Sequence, residues 1–327
     1  VITSPFSFVA SSNCILYERG VPVFVDIDEE TGNIDPALVA EAAEDLTSSG
    51  SSAVRWLPHK IRDLSTESKL KAILPVHAFG QPADMDPIMK VSREHGLITI
   101  EDACDAVGAE YRGRKVGTFG ESAVFAFYPN KQMTTGEGGM VVTDRDDWDP
   151  LFRSLRNQGR DIFDAWLNHS RLGYNYRLDE LSAALGVAQL KRIEQLLLKR
   201  EHVARLYGQH LAEIDGVETP HISSDTTRMS WFVYVVRLAQ EVDRDSVMAR
   251  LGELGIPSRP YFTSIHLQPF YRERFGYQEG DLPVTERVAA SSLALPFHSN
   301  LDEESIKYVC KGFADSIARS RRRKAAQ

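Results

Sequence analysis

"SAVFAFYPNKQMTTGEGGMVVTD" (residues 122–144) sets one lysine, Lys131, between two short apolar runs. "SAVFAF" (122–127) and "GGMVVTD" (138–144) read as strands, and the Thr- and Gly-rich stretch between them reads as a tight loop. Working outward, "VPVFVDID" (21–28), "KAILPV" (71–76) and "GLITIED" (96–102) have the same character. They are rich in Val, Ile and Phe without clean alternation, as expected of strands covered on both faces. Helical patterns separate them. "DPALVAEAAEDL" and "DMDPIMKVSREHG" each carry Asp-Pro, a helix start in which aspartate caps free N–H groups and proline takes the first helical position. Gly96 reads as the stop of the second helix. Strands alternating with crossover helices predict an α/β fold.

The chain has 327 residues, 43% of them apolar, and a formal net charge of −8. That length suffices for one large and one smaller domain. The acidic balance argues against sequence-blind binding to nucleic acid. Basic residues cluster only in the terminal "ARSRRRKAAQ", read as a solvated, frayed end. Cys14, Cys104 and Cys310 are odd in number and far apart, which argues against a disulfide framework or a zinc site, and no metal is expected. No run is long and apolar enough to span a bilayer, and no signal peptide leads the chain; a cytoplasmic enzyme without a membrane partner is expected. The opening "VITSPFSFVASSN" starts directly as a strand and turn without methionine, so we expect the natural N-terminus to be missing.

Residues 47–70 are polar and irregular and read as a surface excursion. From Asp179, "DELSAALGVAQLKRIEQLLLKREHVARLYGQHL" is one long helical pattern, apolar on more than one side, as for a helix buried between layers or at an interface. "MSWFVYVVRL" (229–238) reads as a strand and about 244–254 as a helix, followed by the loop-rich "RPYFTSIHLQPFYRERFG". The division expected is a large domain over 1–205 that includes the connecting helix 179–205, a small domain over 206–318, and a disordered basic tail over 319–327.

In parallel sheets ligands gather at the carboxyl ends of strands. His77, Asp102 and Lys131 sit there. Taken singly, each has a plainer reading: an aspartate after a strand caps a turn, and a lysine in a loop is solvated.

"EDACDAVGA", "FYPNKQMTTGEGG" and "LGYNYRLDELSAALGVAQLKR", in this order, resemble the sugar aminotransferases of the DegT/StrS family. The resemblance extends to "SPFSFVASSNCILYERGVPVFVDID", "VHAFGQPADMD" and "GDLPVTERVAASSLALPFH", and so covers nearly the whole chain. It implies the aspartate-aminotransferase type of fold: a large domain with a mixed, mostly parallel sheet of the seven-stranded type, and a smaller C-terminal α+β domain. It also implies pyridoxal phosphate as cofactor. Lys131 matches the lysine that bonds covalently to the cofactor aldehyde; it must be neutral to attack, and desolvation favours that form. Asp102 matches the acid that pairs with the pyridine nitrogen and keeps the ring able to accept electrons. Phe8 matches the aromatic that stacks on the ring, and Asp105 a position near the ring hydroxyl. Asn175 matches an asparagine that reaches the cofactor phosphate of a neighbouring subunit, which implies a homodimer with shared active sites. Arg177 accompanies it or forms a structural ion pair. His266 falls where the family has a substrate-facing loop. His77 is assigned a structural role, a hydrogen bond holding its loop.

Two departures stand out. Family members carry a further phosphate-cradling turn before the point where this chain starts, and Ala126 stands where many relatives have a serine that touches the phosphate. Elsewhere, Ser264 replaces a proline common in the family's "PxH" turn. The expected activity is transfer of an amino group, with glutamate as donor, to a nucleotide-linked keto sugar in amino-sugar biosynthesis. A cyclitol-type ketone is an alternative substrate, and a non-catalytic member of the fold is an alternative role. A nicotinamide oxidoreductase is disfavoured, because Gly113, Gly117 and Gly120 have the wrong spacing for a dinucleotide turn.

Overall fold

The computed structural model describes residues 1–48, 51–64, 69–161 and 168–325. Six strands form the main sheet, in the spatial order Val23–Phe24, Ile2–Thr3, Ala72–Leu74, Ile98–Asp102, Ser122–Ala126 and Gly139–Val142. Every neighbouring pair is parallel except the last, where Ser122–Ala126 and Gly139–Val142 run antiparallel. The five runs read as strands all contribute, and the opening residues add a sixth. The main sheet has no seventh strand among the described residues, and Met140 and Val141 on its outer strand are exposed.

Helix formation follows local chemistry where that chemistry is strong. Asp35 accepts hydrogen bonds from the Ala37 and Leu38 amides, capping the helix Pro36–Thr47 as expected. Helix Met85–His95 ends at Gly96, whose φ of 62° is the left-handed conformation that glycine adopts cheaply. Its start differs from expectation. Asp84 occupies the cap position without a side-chain bond to the helix, and Asp86 and Pro87 lie inside the first turn. Both acids are engaged elsewhere, Asp84 by the Tyr111 hydroxyl at 2.6 Å and Asp86 by Arg112. These two helices bury Val39, Ala42, Ala43, Ile88 and Val91 with Ile2, Val23, Val25 and Ile73 of the strand segments in one apolar core.

A second core lies around the antiparallel sheet Ser292–Leu295, Tyr234–Leu238 and Val217–Glu218. Helices Ile193–Leu211, Arg244–Glu253 and Glu303–Ala325 cover it with Val203, Tyr207, Leu211, Val247, Leu251, Ile306, Phe313 and Ile317. The long pattern from Asp179 is two helices, Glu180–Leu190 and Ile193–Leu211, because Arg192 leaves helical geometry at φ −113° and ψ 7°. The first segment buries no residue, whereas the second enters the C-terminal core.

Residues 229–233, read as the start of a strand, are irregular, and the strand begins only at Tyr234. Their amides are used elsewhere: Ser230 N donates to Gly80 O and Phe232 N to Phe79 O. Gly80 permits this approach, since a Cβ there would stand 2.8 Å from the Trp231 nitrogen. The excursion 47–70 forms two 3₁₀ segments, Ser51–Trp56 and His59–Leu64; 49–50 and 65–68 lie outside the described residues. The basic end departs from the expected disorder. Residues 319–325 continue the last helix, with Ser320 buried and Arg321 paired to Asp215 at 2.5 Å and Glu241 at 2.8 Å. Residues 326–327 lie outside the described set.

Behind the strand ends sits a buried knot. Glu101, fully buried, accepts bonds from His77 Nε2 at 3.1 Å and from the amides of Gly117, Phe119 and Gly120 at 2.7, 2.7 and 2.9 Å. Burial pushes its carboxyl up, but the His77 bond and the Gly120 and Gly117 amides hold it net below its ordinary value. His77 Nδ1 accepts from the Ala83 amide at 3.0 Å, which holds its loop in the structural role expected of it. Glu101→Gln removes the charge, leaves one acceptor oxygen and turns an NH2 donor toward amide N–H groups. The expected cost is about 3 kcal/mol, read as a lower urea midpoint with an unchanged slope.

Candidate active site

Asp102 ends the central strand Ile98–Asp102, and Lys131 follows the adjoining strand Ser122–Ala126 by a turn in which its amide donates to Tyr128 O. Parallel pairing of those strands brings their carboxyl ends together. Lys131 Nζ donates to Asp105 Oδ1 and stands 3.9 Å from the centroid of the Phe232 ring. The lysine side chain is only 14% exposed and the aspartate side chain 9%. Burial outweighs the attraction of Lys131, so the Asp105 carboxyl is pushed up to about 6.

Asp102 is held differently. Its Oδ2 accepts the Ser11 hydroxyl at 2.6 Å and its Oδ1 the Cys104 amide at 3.1 Å. Ser11 is bonded in turn to Ser7 at 2.7 Å. A carboxylate offers about four acceptor sites, so these two bonds leave Asp102 able to take another donor. Burial first and then Asp102 raise the neighbouring Cys104 thiol above its usual value.

Phe8, the next residue after Ser7, is 68% exposed and makes no ring contact among the described residues. With Ser7, Asn13, Phe262 and Thr263 it lines a cavity of about 660 Å³. Tyr261 stands near Asp105, and burial followed by that carboxylate pushes its phenol up to about 12. Gln132 and Ser230 close the back of the site: the Gln132 amide donates to Asp105 O and to Ser230 Oγ, and Ser230 Oγ donates to Val107 O at 2.7 Å.

The structure thus brings Lys131, Asp105 and Asp102 to one end of the sheet; the cavity that Phe8 lines contains none of the three, but its wall residue Ser7 is joined to Asp102 through Ser11. The structure does not bring Asn175 or Arg177 to Lys131 within one chain. Both are exposed on a segment that bridges to Asn157, with Arg177 Nη1 bonded to Asn157 Oδ1 at 3.0 Å. His266 corrects expectation. It is fully buried, its Nε2 3.0 Å from Glu286 Oε1, and burial lowers its pKa despite that carboxylate. A side chain so enclosed faces no substrate; the neighbouring Thr263, Ile265 and Gln268 line the cavity instead.

Sequence reasoning missed Ser11, Gln132, Ser230, Phe232 and Arg200. For Arg200 a signal exists. It lies at helical spacing among Leu197, Val203, Ala204 and Tyr207, an apolar stripe where a buried cation needs a reason.

The residues fit the cofactor implied by the resemblance: an amine for an aldehyde, a carboxylate with acceptor capacity for a ring N–H, and an uncovered aromatic face for a ring. Comparison with known proteins agrees. At 39% identity over 312 residues, covering 94% of this chain and 76% of the relative, it is similar to GDP-perosamine synthase of Caulobacter vibrioides. The spore coat polysaccharide biosynthesis protein SpsC of Bacillus subtilis is 33% identical, with 97% of this chain and 79% of the relative covered. Among solved structures, Helicobacter pylori PseC, an aminotransferase involved in the biosynthesis of pseudoaminic acid, superposes with a TM-score of 0.83 at 27% identity, over 97% of this chain and 79% of that one. The model of the DegT/DnrJ/EryC1/StrS aminotransferase family matches residues 1–314, and the chain belongs to that family.

Proposed function

We propose that this chain is a pyridoxal-phosphate-dependent aminotransferase that moves an amino group, with glutamate as donor, onto a nucleotide-linked keto sugar in amino-sugar biosynthesis. The observation that carries the reading is the meeting of Lys131, Asp105 and Asp102 at neighbouring strand ends. The names of the Caulobacter and Helicobacter relatives, a GDP-perosamine synthase and a pseudoaminic acid enzyme, support a sugar substrate.

When bound, pyridoxal phosphate supplies an aldehyde and an electron-accepting ring. Lys131 is the nucleophile toward that aldehyde. Its Nζ bonds to Asp105, and a carboxyl raised to about 6 is a better proton acceptor than an ordinary one, so Asp105 can take the proton that the amine must lose. Asp102, steadied by Ser11 and the Cys104 amide, would be the carboxylate that keeps a proton on the ring nitrogen. Phe8 offers its exposed face to the ring, and Phe232 and Tyr261 keep water from the lysine. The free Lys131 amine would be the group placed to move a proton at the substrate carbon.

A homodimer and a cytoplasmic location belong to the same proposal. Leu181, Leu185 and Leu190 of helix Glu180–Leu190 are 85%, 42% and 57% exposed, and Leu172 and Tyr176 beside Asn175 are 91% and 71% exposed. An apolar face of that extent suits burial against a second copy, which would carry Asn175 to the partner's site. Among the described residues, no helix is long and apolar enough to cross a membrane.

Lys131→Ala is expected to abolish the cofactor's visible absorbance shift on adding glutamate. It should also lower turnover by about 10⁴-fold, read by mass detection of the amine formed from a panel of nucleotide keto-sugars. Retained turnover overturns the assignment, and absence of any absorbance in the unsubstituted protein favours the non-catalytic reading. Mixing Lys131→Ala and Asn175→Ala subunits, each inactive alone, is expected to restore about a quarter of wild-type activity through hybrid dimers with one intact site; no restoration counts against shared sites. Asp105 also leaves a pH signature. Its carboxyl binds a proton more tightly in the folded chain (about 6) than at its ordinary value of 3.8, so the stability it confers is full below that value and is lost as pH rises through 6. Unfolding free energy of the wild type relative to Asp105→Asn should therefore fall by about 3 kcal/mol between pH 4 and 7; a flat difference would refute the buried carboxyl.

A further inference from the structure

We infer that Arg200 is a positioning residue for the Lys131 amine, clamping the turn that carries the lysine to the segment that carries Phe232; the inference rests on the reading of Lys131 as the reactive amine. Arg200 is 5% exposed, on the inward face of helix Ile193–Leu211. A guanidinium buried this deeply ordinarily meets a carboxylate. Here, among the described residues, its bonds all go to backbone carbonyls. Nη1 donates to Trp231 O and Phe232 O, both at 3.1 Å, and Nη2 to Lys131 O at 3.2 Å and Asn130 O at 3.5 Å. Burial lowers the guanidinium to about 10, still a full cation at neutral pH.

The four carbonyls fall into two pairs, and each pair belongs to one wall of the site. Asn130 and Lys131 form the turn that bears the amine. Trp231 and Phe232 form the segment whose ring lies 3.9 Å from that amine. Trp231 has a φ of 54°, a left-handed conformation unfavourable for an aromatic residue. That backbone lets two successive carbonyls reach a single nitrogen, so the strained turn and the buried cation explain each other. Gln132 and Ser230 make a second tie between the same two segments, on the Asp105 side. Arg200 touches neither the amine nor the cavity; it acts through the two backbones. Without it, four carbonyls lose their donor, the ring and the amine separate, and water reaches Lys131.

A residue that only stabilised the fold would lower the melting temperature and leave the lysine as it was, so the test reads the lysine directly. On the full chain, with and without added pyridoxal phosphate, acetylation of Lys131 by acetic anhydride is measured by peptide mass spectrometry relative to exposed Lys307. Without cofactor, Arg200→Gln is expected to raise the Lys131-to-Lys307 ratio about five-fold, with Arg200→Lys in between. With cofactor and substrates, kcat should fall while the KM for the amino donor stays within about two-fold, as for loss of positioning in the transition state. An unchanged ratio in folded Arg200→Gln overturns the inference. Should that variant fail to fold, Phe232→Leu removes the ring end of the clamp with the cation in place; the same rise is expected, and an unchanged ratio overturns it. Labelling needs no turnover, so an unsubstituted protein that lacks transaminase activity would refute the functional reading while leaving the clamp to be judged on the lysine alone.

Discussion

A lysine ammonium withdrawn from water needs a partner, and the bond from Lys131 Nζ to Asp105 supplies it. Both side chains are enclosed, so each is costly to bury alone and tolerable together. The pair is held tensely rather than comfortably. Burial still leaves the Asp105 carboxyl near 6, so it accepts a proton more readily than an exposed aspartate does.

The surrounding structure serves to keep this pair dry and in place. Phe232 brings its ring face to it, Tyr261 stands near Asp105, and Gln132 and Ser230 close its rear. Further back, Glu101 gathers three loop amides and His77, which makes the strand ends a rigid base. Asp102 sits on that base one residue beyond Glu101, yet faces the Ser11 hydroxyl. Two acids adjacent in the chain thus have opposite duties, because successive side chains of a strand point to opposite faces.

Much of the architecture was legible. Asp35 and Gly96 announce a helix start and stop because each acts on backbone within a few residues of itself. The Val- and Ile-rich runs announce covered strands for the same local reason. The Asp86–Pro87 pair was misleading, since Tyr111 and Arg112 claim the nearby acids across space. His266 was misleading likewise: its partner Glu286 lies twenty residues on, and the two enclose each other away from the cavity.

The sequence alone determined most of the element pattern, the family, and the identity of the lysine and acids at the strand ends, since these depend on periodicity and short motifs. Tertiary structure alone decided what each charged group faces. Arg200 meets carbonyls 69 to 70 residues before it and 31 to 32 after it, and Ser11 meets Asp102 across 91 residues. Desolvation and hydrogen bonding depend on distances in space, and the chain order of those partners carries no trace of them.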